Sequence, residues 1–366
     1  MKVSDIMRVM EGIAPARLAE DWDHVGLQVG DAAADVRRVL VGLSPSLDLL
    51  SEAAGRGAQM VICHHPLIFQ PLASLTGATP AEKIAAGFVK RDIAFFAAHT
   101  NLDNAPGGVN DALAEAVGLA DVRALTFATS KLAKVVVFVP EEALEKVSAA
   151  ICNAGAGRLG AYRDCTFRVP GTGTFTPMEG AHPYIGERGR LERVAEVRLE
   201  SIVPEEAVPA VVAAIRASHP YEEPAYDVYR LQNERREAGL GRCGVLPRPA
   251  RAEEFIARVA DALHAPGISY AGDGTRLVSK VAVCGGAGGD LYRDALRLGC
   301  DLLLTGDVKY HAFLEANDAG IVLADAGHEH TELPGLRKMF HRLKQELGGV
   351  DVMMEEEKEM THRFQR

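Results

Sequence analysis

The sequence predicts an α/β protein: a two-part three-layer α/β domain with pseudo-repeated halves, carrying an inserted α+β ferredoxin-like domain in its middle. Three observations point there. Short apolar runs alternate with helical segments in both terminal parts, which is the pattern of a parallel or mixed sheet covered by helices. Polar clusters rich in His and Asp recur where those runs end. In the middle, Val139-Pro140-Glu141-Glu142-Ala143 recurs as Val203-Pro204-Glu205-Glu206-Ala207.

In the N-terminal part, Val39–Leu43 reads as a buried strand, followed by a helix over Leu47–Gly55. A second strand, Met60–Cys63, runs into His64-His65-Pro66. A helix over Ala81–Lys90 then leads to the strand Ile93–Ala98, which ends in His99-Thr100-Asn101-Leu102-Asp103. The C-terminal part repeats this order more loosely. Val281–Cys284 is a strand, Leu291–Leu298 a helix, and Asp301–Leu304 a strand ending in Thr305-Gly306-Asp307. A helix around His311–Asn317 leads to the strand Ile321–Ala324 and then Asp325-Ala326-Gly327-His328. In the middle, each Val-Pro-Glu-Glu-Ala copy follows an apolar run (Ala133–Val139 and Ala195–Val203) and opens a helix. Proline entering a helix and carboxylates in its first turn are helix-start signals. Ala161–Val169 and Ala225–Leu231 are the strands that follow, so the middle reads as β-α-β twice over. The glycine stretches Gly155–Gly160 and Gly171–Gly173 read as loops, and Pro247–Arg251 as the exit from the insert. The expected division is therefore 1–126 with 247–366 for the outer domain and 127–246 for the insert.

Composition narrows the function classes. The 366 residues are 48% hydrophobic and 25% charged, an ordinary globular makeup with room for two domains. A formal charge of −10 disfavours a general nucleic-acid binder, which needs Lys and Arg on phosphates. Asp5, Arg8 and Glu11 interrupt any apolar stretch near the start, and no run approaches the ~20 apolar residues of a membrane span. A cytoplasmic protein without a membrane partner is expected. The cysteines Cys63, Cys152, Cys165, Cys243, Cys284 and Cys300 form no CxxC pair and are expected to be reduced structural thiols.

The chemistry-bearing residues gather at strand ends, where open α/β sheets bind ligands. His64 and His65 are adjacent imidazoles directly after a strand. His99 and Asp103 follow another, and His328 and Glu332 share a face if a helix starts there. A lone strand-end histidine is ordinarily a solvated or capping residue; the recurrence at equivalent ends carries the reading. Imidazole with carboxylate suits Zn, Fe or Mn. His64, His65, Asp103, His328 and Glu332 are too many donors for one open tetrahedral site and suit two divalent ions, with His99, Asp307 and His330 as candidate proton-handling or orienting groups. Gly285–Gly289 follows a strand but fails the dinucleotide fingerprint, because Leu291 stands where the last glycine belongs. It reads as a tight turn, with an anion-binding loop as the alternative. Trp22, the sole tryptophan, lies in Glu20–Leu27, a surface turn or a rim of the site. His219–Pro224 reads as a structural turn or a binding loop.

The motifs Trp22-Asp23-His24-Val25-Gly26-Leu27, His64-His65-Pro66-Leu67-Ile68-Phe69, His99-Thr100-Asn101-Leu102-Asp103, Thr305–His311 and Gly327-His328-Glu329-His330-Thr331-Glu332 resemble those of the Nif-three-like dinuclear-metal proteins, also called GTP cyclohydrolase 1 type 2 homologues. The insert resembles the PII-like domain of the longer bacterial members. The resemblance implies that His64, His65, Asp103, His328 and Glu332 are the metal ligands, with Glu332 touching both ions. It also implies a toroidal homohexamer with the sites facing an internal cavity. One departure is visible: Leu43-Ser44-Pro45-Ser46 stands where the family has an Asp-Val-Thr-like turn, which removes a carboxylate near the pocket. Two functions remain open on the sequence: a metal-dependent hydrolase of a small molecule, of cyclohydrolase or phosphoesterase type, and a non-catalytic metal- or ligand-sensing assembly gated by the insert. A nucleic-acid or protein adaptor is disfavoured by the charge.

Overall fold

The computed structural model describes residues 1–129, 132–235 and 238–356. It divides into two compact units, one formed by Met1–Ala128 with Arg235–Arg366 and the other by Thr129–Glu234. The second boundary falls earlier than the 246 expected. Arg242–Arg251 is a strand paired antiparallel to Leu277–Ala287, so the Pro247–Arg251 segment is sheet, not exit. Residues 357–366 of the outer unit lie outside the described residues.

The outer unit holds two sheets. The first has five strands in the order Gly26–Val29, Ala94–Ala97, Met60–Cys63, Arg38–Gly42, Asp351–Met354. The last four are mutually parallel, and Gly26–Val29 runs antiparallel at one edge. Beyond the exposed Arg38 at one strand's start, the central strands are apolar throughout because both faces are covered. Val39, Val41, Met60, Ile62, Ala94 and Phe96 pack under the helix Val3–Ile13 and the helix His328–Glu346. Leu40, Val61, Cys63 and Phe95 pack under the helices Leu47–Gly55 and Pro80–Lys90. Ser46 and Thr79 cap those two helices by accepting from the backbone N–H of Leu49 and Glu82.

The second sheet has six strands, in the order Ser269–Ala271, Val322–Asp325, Leu302–Gly306, Leu277–Ala287, Arg242–Arg251, Ala120–Ala124. Its three central strands are parallel. Helices Val109–Ala116 and Ala252–Leu263 cover one face; Tyr292, Ala295 and Ala316 pack on the other. The outer unit is thus a mixed α/β structure with helices on both faces of each sheet.

Helix His328–Glu346 leaves the second sheet and packs over the first. It crosses Val109 closely: a Cβ on Gly335 would lie 2.5 Å from Val109 Cα. This crossing carries residues late in the chain to the strand ends of the first sheet.

The unit Thr129–Glu234 has the element order β-α-β-β-α-β: Leu132–Pro140, Leu144–Asn153, Thr166–Phe175, Glu192–Pro204, Val208–Ser218, Tyr226–Arg230. Its strands pair antiparallel in the order fourth, first, third, second, and both helices pack on one face. Pro140 and Pro204 end their strands, and a short 3₁₀ turn precedes each helix. The strand expected at Ala161–Val169 begins at Thr166 and continues through Gly171–Gly173, which is sheet instead of loop. Glycine is required there because a Cβ on Gly173 would sit 2.0 Å from the Glu196 carboxylate on the adjacent strand. All six cysteines are free. Among the described residues, no helix is long and apolar enough to cross a membrane.

Candidate metal centre

The backbone ladder continues past the strand Met60–Cys63. His64 N–H donates to the Gly42 carbonyl at 3.2 Å and His65 N–H to the Leu43 carbonyl at 2.9 Å. Both imidazoles are thereby fixed at the carboxyl edge of the first sheet. The next parallel strand, Ala94–Ala97, delivers His99 at the start of the helix Thr100–Asn104, which places Asp103 beside His64. Gly327, with φ of 85°, turns the chain into the helix beginning at His328, so His328 and Glu332 stand one turn apart on one face.

These donors converge. Glu332 Oε1 is 3.5 Å from His64 Nε2 and 3.0 Å from His328 Nε2; its Oε2 is 3.1 Å from His65 Nε2. Asp103 Oδ1 is 3.6 Å from His64 Nε2, and the Nε2 atoms of His65 and His328 are 3.2 Å apart. His64, His65 and Glu332 each offer a donor atom within 4.8 Å of the others, a group able to hold a metal ion.

Each converging histidine is held from behind. His64 Nδ1 donates to the Ala98 carbonyl at 2.8 Å, and His328 Nδ1 donates to Asp307 at 2.7 Å. Those bonds leave the Nε2 lone pairs aimed at the centre, which is how metal-ligating histidines are set up. His65 Nδ1 lies 2.7 Å from the Ser44 hydroxyl. Asp307 thus stands behind the His328 ring, its own backbone left-handed (φ 52°). Ser44 had no signal as an orienting group in the sequence; it belongs to the turn read as a lost carboxylate.

Polar satisfaction supplies the fit test. His64 Nε2, Asp103 Oδ1 and Glu332 Oε2 are buried without a hydrogen-bond partner among the described residues. Buried polar atoms are ordinarily partnered, so three orphans facing one point fit a cation. Electrostatics agree. Burial works against a charged His64, yet Asp103 and Glu332 outweigh it and raise its pKa to about 9. His328 is raised to about 9 by its hydrogen bond to Glu332, with Asp307 adding to the effect against burial. Burial pushes Asp103 up to about 6 and His65 down. Glu332 resists its own burial because His64, His328 and His65 hold it well below the usual carboxylate range. The cluster thus keeps its carboxylates charged, balanced in the metal-free protein by protonated His64 and His328.

The glycine run Gly285–Gly289 makes room. Gly286 has φ of 67°, and a Cβ there would lie 2.5 Å from Glu332 Oε1 and 3.3 Å from His328 Nε2. Three of the run's N–H groups are already used. Gly285, Gly286 and Gly288 donate to Asn110, Thr331 and Thr305 at 2.8, 2.9 and 2.8 Å. The run packs closely against the cluster, and the N–H groups of Gly285, Gly286 and Gly288 are turned to protein partners.

His99 lies beside the cluster, its ring centroid 5.4 Å from that of His64 and 5.7 Å from that of His65. Its Nδ1 donates to Asp23 at 2.9 Å. Asp23 is held near 2: burial opposes its charge, but hydrogen bonds from His99 and Thr100 prevail. Trp22 is 57% exposed and stands edge-on to His99 at 6.1 Å and beside Phe69 at 5.8 Å, so it is a rim of the site. The His330 Nδ1 is buried without a partner among the described residues, and its Nε2 is 4.0 Å from Glu329 Oε1.

The sequence matches the DUF34/NIF3 (NGG1p interacting factor 3) family over residues 1–360. The chain belongs to this family. A Halalkalibacterium halodurans protein named GTP cyclohydrolase 1 type 2 homolog is 41% identical over 94% of this chain and 94% of its own length. A Bacillus subtilis protein of the same name is 40% identical over 96% and 95%. Among solved structures, a Bacillus cereus protein related to NIF3 shares 38% identity and a TM-score of 0.71, with 98% of each chain covered. A Staphylococcus aureus protein shares 28% identity and a TM-score of 0.78 over 100% of this chain and 99% of its own. This member of the DUF34/NIF3 family thus carries a His/Glu group able to hold metal at the meeting of its two sheets.

Proposed function

We propose that this DUF34/NIF3 member is a dinuclear metal protein and a metal-dependent hydrolase. His64, His65, Asp103, His328 and Glu332 are its ligands, and two divalent ions per subunit, Zn, Fe or Mn, are its cofactor. The observation that carries the reading is the convergence of three imidazole Nε2 atoms and two carboxylates on one buried point, with His64 Nε2 and Asp103 Oδ1 left without partners. Glu332 lies between His64 and His65 and is the residue that would serve both ions. Divalent ions at such a centre supply Lewis acidity, polarising a carbonyl or phosphoryl oxygen and acidifying water.

The chain's own groups do the rest. Ser44, Ala98 and Asp307 fix the three imidazoles in the orientation that leaves Nε2 inward. His99, locked by Asp23 through Nδ1, keeps Nε2 available to take and return a proton. His330 is a second candidate for proton movement. The names of the relatives support opening of a purine-type ring in a nucleotide as the reaction class. The pseudo-repeated halves deliver ligands from equivalent strand ends. The unit Thr129–Glu234 is a PII-like insert, and the assembly is a cytoplasmic toroidal homohexamer with the sites lining its cavity.

The test is turnover of a panel of purine nucleotides and phosphoesters by metal-replete protein, beside a folded Glu332→Ala variant. Turnover lost in the variant supports hydrolysis. Stoichiometric metal, no turnover, and a ligand-dependent rise in melting temperature would replace it with the sensing assembly.

A further inference from the structure

The unit Thr129–Glu234 contains a cavity of about 750 Å³ that the metal reading does not use. It lies on the sheet face opposite the helices, where the segment 176–191 and the turn His219–Pro224 fold over the strand Thr166–Phe175. The walls are tied in place. His182 N–H donates to Glu222 at 2.9 Å, and Tyr184 donates to Glu142 at 3.2 Å. His219 Nε2 donates to the Phe138 carbonyl at 3.0 Å, so its Nδ1 accepts from the Tyr221 N–H, also at 3.0 Å. Those bonds fix Tyr221 against Phe175 and Tyr184, at ring separations of 6.0 and 6.2 Å.

Two polar groups in this wall are unusual. Glu196 lines the cavity and is only 9% exposed, yet among the described residues no Lys or Arg pairs with it. Arg198, the nearest cation along its strand, is turned to Glu200 at 3.3 Å. The Tyr221 hydroxyl is buried beside this carboxylate, and burial together with the Glu196 charge holds it in its neutral form. A nearly buried carboxylate without a counter-ion is costly. Gly173 leaves the room its side chain occupies, since any Cβ there would overlap the Glu196 carboxylate.

We propose that this cavity binds a small organic cation: an aromatic or alkyl body carrying a protonated amine, the ammonium set between Glu196 and the Tyr221 oxygen and the body against Phe138, Phe175 and Met178. Such pockets are mostly apolar with a few placed polar groups that set orientation. Aromatic faces add attraction for a cation. Glu222 and Glu223 also line the cavity, against the one lining cation Arg198, which is paired with Glu200; the wall is net negative and disfavours an anionic ligand such as a carboxylate or a nucleotide phosphate. The site lies wholly within Thr129–Glu234, and the proposal stands whether or not the outer unit is hydrolytic.

Calorimetric titration of the full metal-loaded chain with phenethylamine tests it, with 3-phenylpropionate as the carboxylate counterpart. The expected result is saturable one-to-one binding of the amine with Kd at or below about 1 mM and at least tenfold weaker binding of the carboxylate. Glu196→Gln keeps the shape and is expected to weaken the amine at least tenfold with metal content unchanged. Tyr221→Phe is expected to weaken it about threefold and serves if the first variant fails to fold. Absence of saturable amine binding, equal binding of the carboxylate, or unchanged amine affinity in the folded variants would overturn the proposal.

Discussion

Replacing Gly286 by alanine tests the metal centre without touching a ligand. At φ of 67° an alanine costs about 1 kcal/mol relative to glycine, because its Cβ crowds the backbone. The larger effect is local. The new methyl would lie 2.5 Å from Glu332 Oε1, and non-bonded carbon and oxygen need at least about 3.0 Å, so the carboxylate must retreat by about 0.5 Å. Metal–ligand distances tolerate only about 0.2 Å. The same oxygen is 3.0 Å from His328 Nε2 and 3.5 Å from His64 Nε2, so it cannot withdraw without opening the cluster. Gly286→Ala is therefore expected to weaken metal binding by about 10–100-fold, while metal-free protein loses only about 1–2 kcal/mol. Chelator competition gives the first number and denaturant unfolding of metal-free protein the second. Wild-type metal affinity in a folded Gly286→Ala protein would refute the placement of Glu332 at the centre.

Other perturbations follow from the same geometry. Ser44→Ala and Asp307→Ala each remove the group behind an imidazole, and each is expected to lower metal affinity about tenfold in chelator competition with little change in metal-free stability. In metal-free protein His64 and His328 are raised to about 9, above their unfolded value. Their stabilising contribution is present in full below about pH 6.5 and is lost as pH rises through 9. Metal needs the neutral rings, so metal affinity rises over the same range and binding at pH 7 releases protons, measurable by calorimetry in buffers of different ionisation heat. Arg242, 2% exposed, makes a two-pronged contact with Asp111 at 2.6 and 2.9 Å and donates to the carbonyls of Gly239, Gly241 and Ala105. Arg242→Met strips Asp111 of its buried cation, leaving it the Gly107 N–H, and takes one donor from each of the three carbonyls; it is expected to cost roughly 3–5 kcal/mol in denaturant unfolding.

Much of the outer unit was legible because parallel strands covered on both faces are short, uniformly apolar and followed by polar turns. The helix Leu47–Gly55 and the strand Met60–Cys63 have the bounds their sequence suggests. The segments Gly171–Gly173 and Pro247–Arg251 misled for one reason: glycine and proline ordinarily mark loops. Here Gly173 is needed in a strand to clear Glu196, and Pro247 and Pro249 sit in Arg242–Arg251 where the register slips between Val245 and Ala250. At the site, the donors announced themselves as paired polar residues at strand ends. Apart from Asp307, the groups behind them did not. Ser44, Asp23 and the Ala98 carbonyl are common groups whose role depends on which strand ends lie side by side. The glycine run carried no sequence sign of Asn110, Thr331 and Thr305, the distant side chains that accept from Gly285, Gly286 and Gly288.

The most direct test of the metal centre is elemental analysis of protein purified without chelator and then offered Zn, Fe or Mn. The account predicts two divalent ions per chain, falling to one or none in a folded Glu332→Ala protein. Absence of bound metal after loading, or a content that Glu332→Ala leaves unchanged, would contradict it.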